Sequence, residues 1–130
     1  MRRLRIIVAD DNPAFLQELV SILTSEFDVV ATAADGKSAL DLIRRYKPDL
    51  VVMDLGMPVL NGIEVSRELA KCSPSPPVVI CSVENDPEIV EAARQAGVLA
   101  YVFKLRIETD LMLAVKAALD GRFFVSRPPK

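Results

Sequence analysis

Several polar residues whose side chains could together bind a phosphoryl group stand at the ends of short apolar runs in this sequence. Asp10 and Asp11 follow the first run, Asp54 the third, Ser82 the fourth and Lys104 the fifth. Carboxylates packed together repel one another, so at least one needs a cation or a raised pKa. Carboxylate oxygens suit Mg²⁺, a lysine supplies a positive charge, and a serine hydroxyl can donate to a phosphoryl oxygen. A carboxylate in such surroundings can accept a phosphoryl group as an acyl phosphate.

The apolar runs that carry these residues are predicted to be β-strands. They are rich in Val, Ile and Leu without clear alternation, which is typical of parallel strands covered on both faces. The predicted strands are residues 4–9, 28–33, 50–53, 78–81 and 99–103. Because ligands bind outside the carboxyl ends of the strands in open parallel sheets, we expect the polar residues to meet at one edge.

Helical patterns lie between the strands and have recognisable capping residues. Asn12, Asn61, Asp86 and Thr109 are predicted to begin four of the five helices, and Pro48 ends the second. The alternating order predicts an α/β fold, a doubly wound five-stranded parallel sheet with helices on both faces. We expect one domain over residues 1–121, followed by a linker-like tail over residues 122–130 that ends in Arg-Pro-Pro-Lys.

Composition excludes several classes of chemistry. The chain of 130 residues has no histidine, which rules out Ser-His-Asp and Cys-His catalysis, histidine-ligated metals and a phosphohistidine on this chain. Its hydrophobic content of 51% and charged content of 26% are those of a soluble globular protein, and its net charge of −2 gives no attraction to nucleic acid. No signal peptide or membrane span is recognisable, so we expect a cytoplasmic location.

Each polar residue alone has an ordinary structural explanation. Carboxylates at positions 10 and 11 can complement the dipole of the first helix, and Asp54 can be a turn residue at a strand end. A metal-dependent hydrolase would use a similar set, but it normally needs a base and a substrate pocket that the sequence does not clearly offer. The occurrence of the whole set at one predicted edge favours a common function.

These residues and their neighbours resemble the receiver domain of bacterial response regulators. The resemblance rests on Asp10-Asp11, on Asp54 within the segment MDLGMP and the residues that follow it to Gly62, and on Ser82 and Lys104. It extends over essentially the whole chain, with the polar residues in the matching strand order. It implies a flavodoxin-like (βα)5 fold and a signalling switch controlled by phosphorylation.

The resemblance also implies a role for each residue. Asp54 would be the phosphoacceptor that takes a phosphoryl group from a sensor histidine kinase, and Ser82 and Lys104 would bind the phosphoryl oxygens. The positions implied to hold Mg²⁺ are Asp10, Asp11, Asp54 and the backbone carbonyl of Gly56. Such a chain is not a conventional enzyme, because it would only phosphorylate itself from donors and dephosphorylate itself slowly.

Two switch residues and three departures from the usual receiver pattern surround the implied site. Tyr101, three residues before Lys104, matches the aromatic residue whose inward turn remodels the surface of helix 4, strand 5 and helix 5, and Ser82 matches the hydroxyl switch residue that moves toward the phosphoryl group. Val83 stands where Ala or Gly is usual, and could crowd the site or add to the core. Leu105 stands where proline is common, which we interpret as a local loop difference. Glu84 could tune hydrolysis of a phosphoaspartate or be a solvated loop acid.

The closing segments, residues 100–104 and 120–126, resemble receivers that precede a LuxR-type helix-turn-helix. The chain is therefore predicted to be the N-terminal part of a transcriptional regulator, although a stand-alone receiver stays open. It contains no DNA-binding motif, so contact with DNA would need a C-terminal domain outside this chain. The expected partner is a sensor histidine kinase, and a homodimer is allowed. Two other functions stay open: a pseudo-receiver that binds proteins independently of phosphorylation, and a Mg²⁺-dependent phosphohydrolase.

Overall fold

Strands and helices alternate along the chain in the order that the apolar runs predict. The computed structural model describes residues 3–127. The strands are β1 Arg5–Ala9, β2 Asp28–Ala33, β3 Leu50–Asp54, β4 Val78–Ser82, β5 Ala100–Phe103 and β6 Phe124–Val125. The helices are α1 Pro13–Leu23, α2 Gly36–Tyr46, α3 Gly62–Ala70, α4 Pro87–Gln95 and α5 Ile107–Leu119, and a 3₁₀ turn, Lys104–Arg106, precedes α5.

The strands form one parallel sheet in the order β2-β1-β3-β4-β5-β6. This is the doubly wound, flavodoxin-like arrangement that the sequence predicts. The strand order reverses direction beside β1, so the carboxyl ends of β1 and β3 lie next to each other at the switch point.

The two faces of the sheet bury separate apolar clusters. One cluster packs α2, α3 and α4 on one face through residues such as Ile43, Val65 and Ala93. The other packs α1 and α5 on the opposite face through residues such as Leu19 and Leu111. Burial on both faces explains why the strands are nearly continuous apolar runs. None of the described helices is long and apolar enough to cross a membrane.

The strand bounds differ from the predicted ones by one residue at several ends. The first strand begins at Arg5 and the fifth at Ala100, one residue later than predicted in each case. β3 and β4 continue one residue further, so that Asp54 and Ser82 are the last residues of their strands rather than the first residues of loops. The backbone of both residues is thereby paired with the neighbouring strand, and both residues are buried.

Three of the predicted caps are present, and one prediction is wrong. Asn12, Asn61 and Asp86 each accept a hydrogen bond from a backbone N–H in the first turn of α1, α3 and α4. Thr109 does not cap the last helix, because the 3₁₀ turn runs directly into α5, which already begins at the buried Ile107. The Thr109 hydroxyl donates instead to the backbone oxygen of Arg106.

The sheet has six strands, not the five predicted, because part of the expected tail pairs with β5. Phe124 lies opposite Ala100 and Val125 opposite Tyr101 in parallel register, and Ser126 N donates to Tyr101 O at 2.9 Å. A strand of two residues gives too short an apolar pattern to be recognised. The Pro-Pro-Lys end of the predicted tail lies outside the described residues.

A buried hydrogen-bond network anchors β6. The Ser126 hydroxyl donates to Asp110 Oδ2 at 2.8 Å and accepts from Phe103 N at 3.1 Å. The same Asp110 carboxylate accepts from Arg106 Nε at 3.2 Å and from the Thr109 hydroxyl at 3.0 Å. The end of β5, the start of α5 and the residue after β6 therefore share one polar cluster.

The loop from β3 to α3 packs closely against the start of α2. Gly36 N donates to Pro58 O at 3.2 Å, and a Cβ on Gly36 would collide with the backbone oxygen of Leu60. Leu60 N also donates to Pro58 O, which closes a γ-turn around Val59 with a φ of 70°. A positive φ is unfavourable for a β-branched residue, so this loop is held under backbone strain.

We expect replacement of Ser126 by Ala to lower the free energy of unfolding by about 1–3 kcal/mol, because it leaves the buried Phe103 N–H without its acceptor and removes one of the two donors to Asp110 Oδ2. Urea unfolding measures the loss, and amide exchange at Phe103 should accelerate. Ser25→Ala is the control, since the Ser25 hydroxyl also hydrogen-bonds but is exposed. Equal effects of the two substitutions would contradict the anchoring role.

Val59→Gly is expected to change the free energy of unfolding by about 1 kcal/mol more favourably than the same substitution at an unstrained valine, because glycine adopts the positive φ of a γ-turn without the strain of a β-branched residue. Little packing is lost, since Val59 is 75% exposed. The matched control is Val83→Gly, at a loop valine that is 79% exposed and has no positive φ. A result at position 59 no more favourable than at position 83 would show that the turn is unstrained.

Candidate functional site

Four neighbouring strands bring the predicted polar residues to one edge of the sheet. Asp10 follows β1, Asp54 ends β3, Ser82 ends β4, and Lys104 follows β5. Since β1, β3, β4 and β5 are consecutive in the sheet, these ends lie side by side. Asp11 extends the set toward the start of α1.

Asp10, Asp11 and Asp54 form an acidic cluster in which one carboxylate oxygen from each lies within 4.8 Å of the others. Asp10 is 1% exposed and Asp54 is 7% exposed, whereas Asp11 is an exposed residue. The cluster therefore has a buried side against the sheet and an open side toward solvent.

Lys104 supplies the positive charge that faces this cluster. Its Nζ lies 3.0 Å from Asp10 Oδ2 and 3.3 Å from Asp54 Oδ1, and the lysine side chain is 13% exposed. Burial alone would lower the pKa of Lys104, but the facing carboxylates outweigh that effect and raise it. The ammonium therefore stays charged at neutral pH and bridges the two strand ends.

The Asp54 carboxyl is electrostatically unfavourable in its charged form. Burial raises its pKa above the ordinary value, and the charge of Asp10 raises it further against the opposing effect of Lys104. One lysine does not fully compensate the neighbouring carboxylates, which is the condition that favours binding of an additional cation.

One buried carboxylate oxygen of Asp10 is also incompletely compensated by its surroundings. Asp10 Oδ1 accepts from Asn12 N at 2.9 Å, but Oδ2 has no partner of hydrogen-bond geometry among the described residues despite its proximity to Lys104 Nζ. Buried polar atoms are normally hydrogen-bonded, and this oxygen has only its ion pair with Lys104 among the described residues. The donor set is all oxygen, as Mg²⁺ prefers.

Gly56 lies beside the acidic cluster in the β3–α3 loop. A Cβ built on Gly56 would stand 4.0 Å from Asp54 Oδ2, and the residue is exposed. A small residue here leaves the open side of Asp54 accessible.

Ser82, Glu84 and Tyr101 form a hydrogen-bonded group at the neighbouring strand ends. The Ser82 hydroxyl oxygen accepts from Glu84 N at 3.0 Å, and the Tyr101 hydroxyl donates to Glu84 O at 2.8 Å. Tyr101 is fully buried, and burial raises the pKa of its phenol. Its ring packs edge-on to that of Phe103, with the two ring centroids 6.0 Å apart. The aromatic side chain thus points inward, and the backbone of Glu84 connects it to Ser82.

The unusual residues next to Ser82 and Lys104 point outward. Val83 is 79% exposed and Leu105 is 88% exposed. The interpretation of Val83 as core packing is therefore wrong, because the residue follows the last position of β4 and turns away from the sheet. Glu84 is also exposed, and the contacts described above use its backbone.

Sequence reasoning missed one aromatic contact in the site. Phe15, in the first turn of α1, places its ring centroid 4.3 Å from Lys104 Nζ. The pairing of residues almost ninety positions apart gives no local pattern. The available signal was the position of Phe15 in the first helical turn after the Asp10-Asp11 pair, because that turn must lie over the same edge of the sheet.

Comparison with known proteins gives consistent matches over nearly the full chain. The response regulator receiver domain family matches residues 6–116. Transcriptional regulatory protein DegU of Brevibacillus brevis is 32% identical over 125 residues, which are 95% of this chain and 53% of that protein. Protein CcdB of Bacillus subtilis is 33% identical over 116 residues, which are 88% of this chain and 97% of that protein.

A solved structure shows the same fold. The signal receiver domain of the putative response regulator NarL from Mycobacterium tuberculosis has a TM-score of 0.88 and 31% identity, with coverage of 94% of this chain and 100% of that one. This chain spans about half the length of DegU and nearly all of CcdB. With the family match extending from β1 into α5, the chain belongs to the response regulator receiver domains.

Proposed function

We propose that this receiver domain accepts a phosphoryl group on Asp54 from a sensor histidine kinase and acts as a phosphorylation-controlled switch. The observation that carries the proposal is the bridging of Asp10 and Asp54 by Lys104 at the open edge of the acidic cluster. It places a positive charge where the negative charge of a transferring phosphoryl group would accumulate.

Asp54 is the best-placed nucleophile among the three carboxylates. Asp10 is almost completely buried, with one oxygen held by Asn12 N, and Asp11 is exposed. Asp54 combines a side chain that is 10% exposed with direct contact to Lys104. The nearby Cys81 thiol does not compete, because it is fully buried and burial raises its pKa well above the ordinary value.

The residues present fit Mg²⁺ as the cofactor. Asp10, Asp11, Asp54 and the backbone carbonyl of Gly56 would hold it, which is supported by the all-oxygen donor set and by Asp10 Oδ2, which has an ion pair but no hydrogen bond among the described residues. When bound, Mg²⁺ would offset the carboxylate charge and bind a phosphoryl oxygen.

The chain's own residues account for the transfer chemistry. An Asp54 oxygen attacks phosphorus, the new O–P bond forms, and the bond to the donor breaks with the electron pair leaving on the donor. Lys104 would bind a phosphoryl oxygen from its position between the carboxylates. Ser82 would donate its hydroxyl hydrogen to another phosphoryl oxygen, since its present contact with Glu84 N uses the hydroxyl only as an acceptor.

The output would pass through Tyr101 and the surface formed by α4, β5 and α5. Tyr101 joins β5 to the β4–α4 loop through its hydrogen bond to Glu84 O. The long relatives named as transcriptional regulatory proteins favour a role as the N-terminal part of such a regulator, with the domain extending to about residue 121 and DNA bound by another domain. A homodimer is compatible with this role.

Incubation with Mg²⁺ and acetyl phosphate is expected to add one phosphate per chain, detected by intact mass, and Asp54→Asn should abolish the adduct. The adduct should be lost in base, as expected of an acyl phosphate. Asp41→Asn is the matched control, since Asp41 is an exposed carboxylate that pairs with Lys37.

Two results would contradict the proposed function. A wild-type protein that binds Mg²⁺ but forms no adduct would indicate a pseudo-receiver. Sustained release of phosphate from unrelated phosphoesters, unaffected by Asp54→Asn, would indicate a hydrolase.

In the presence of a chelator, Asp54→Asn is expected to raise the free energy of unfolding by about 0.5–2 kcal/mol at about pH 7.5, because it removes a carboxylate whose charged form the fold disfavours. The pKa of Asp54 is raised above 3.8 in the folded protein, so the contribution of this carboxyl to the stability of the wild type becomes less favourable as the pH rises from that value. The gap between the two proteins should therefore shrink toward about pH 4.5, as urea unfolding can measure.

Added Mg²⁺ should stabilise the wild type more than the Asp54→Asn variant, because it binds the folded state through that carboxylate. Equal stabilisation of both proteins would place the cation elsewhere. A gap that does not change with pH would show that Asp54 carries no electrostatic penalty.

A further inference from the structure

We propose that Phe15 is a positioning residue for phosphoryl transfer, whose ring face holds the Lys104 ammonium over the acidic cluster. The inference rests on the proposed function, and it assigns part of the site to α1, an element outside the strand ends that carry the other residues. Phe15 would act through Lys104 and would not touch the phosphoryl group.

The geometry is that of a cation–π contact in a largely desolvated place. Lys104 Nζ lies 4.3 Å from the ring centroid, and the lysine side chain is 13% exposed. A phenylalanine ring has a negative face that attracts a cation, and the attraction strengthens when water is excluded. The ammonium is thus held by a third group in addition to Asp10 and Asp54.

A chain of short hydrogen bonds fixes the ring relative to the acidic cluster. Asp10 Oδ1 accepts from Asn12 N at 2.9 Å, and Asn12 Oδ1 accepts from Phe15 N at 3.0 Å. Pro13 begins α1 between them, so few backbone torsions separate the carboxylate from the ring. The half-buried Phe15 also packs against the apolar cluster beneath α1. Asp10 and Phe15 therefore form a rigid frame around the ammonium.

An aromatic ring suits this role better than another carboxylate. A carboxylate would take one of the three N–H donors of Lys104 and would add negative charge beside an incoming phosphoryl group. The ring attracts the ammonium without being a strong acceptor, which leaves an N–H for a phosphoryl oxygen. It also keeps the flexible lysine chain in place when Asp54 changes from carboxylate to acyl phosphate.

The transfer from acetyl phosphate provides a balanced reaction in which to measure this effect. An Asp54 oxygen forms the O–P bond, the P–O bond to acetate breaks, and acetate leaves with the electron pair, so no proton transfer is needed. We expect Phe15→Leu to lower the second-order rate constant about five-fold at saturating Mg²⁺, and Phe15→Trp to keep it within about two-fold of the wild type.

The decisive variants replace Phe15 with phenylalanines that carry one, two or three ring fluorines. Fluorination weakens the negative ring face and changes the side-chain volume little, so the rate constant should fall stepwise as the cation–π contact weakens. A residue that only fills space would show no such trend. The matched control is Phe123→Leu, which removes another cation–π contact, to Arg94 at 4.8 Å, on the α4 side of the sheet.

The outcomes separate this inference from the proposed function. A wild type that forms no Asp54 adduct overturns the proposed function and the inference with it. A wild type that is phosphorylated, with rate constants that do not change across the fluorinated series, overturns the role of Phe15 alone. A stepwise fall in the series with an unchanged Phe123→Leu rate constant supports it.

Discussion

Lys104 Nζ lies 3.0 Å from Asp10 Oδ2 and 3.3 Å from Asp54 Oδ1, and this shared ion pair is the interaction on which the carboxyl edge of the sheet depends. Asp10 is almost completely buried, and an isolated buried carboxylate would be costly. The ammonium offsets that cost, but one positive charge faces a cluster of carboxylates. The edge is therefore stable enough to fold and still electrostatically incomplete, which is the state a cation- and phosphoryl-binding site requires.

The rest of the fold compensates for this local deficit. Two apolar clusters, one on each face of the sheet, provide the stabilisation that the polar edge lacks. The strand order sets which charges meet, because β1 and β3 are neighbours and β5 lies two strands from β3. The long side chain of Lys104 reaches from the end of β5 to both aspartates. The lysine is therefore suited by length as well as by charge.

The sequence allowed the fold and the residues that meet at the carboxyl edge of the sheet to be predicted, because both depend on local patterns. Apolar runs defined five strands, and the polar residue at the end of each run pointed to the edge where ligands bind. Features that depend on long-range contact were beyond that reasoning. The ring of Phe15 over Lys104 and the pairing of β6 with β5 join segments whose own sequences carry no sign of their partners. The prediction of Thr109 as a helix cap failed for a different reason. Its local sequence suits a cap, but the helix already begins at the buried Ile107.

β5 is the strand through which the site and the C-terminal segment are mechanically connected. Tyr101 donates its hydroxyl to Glu84 O in the β4–α4 loop, and its backbone oxygen accepts from Ser126 N. At the end of the same strand, Phe103 N donates to the Ser126 hydroxyl, which in turn is held by Asp110. Lys104 is the next residue after Phe103, so it is attached directly to this end of β5. A displacement of the end of β5 must therefore disturb both the ion pairs of Lys104 and the hydrogen bonds that hold β6, so the energetics of the acidic cluster and the docking of the C-terminal strand are not independent.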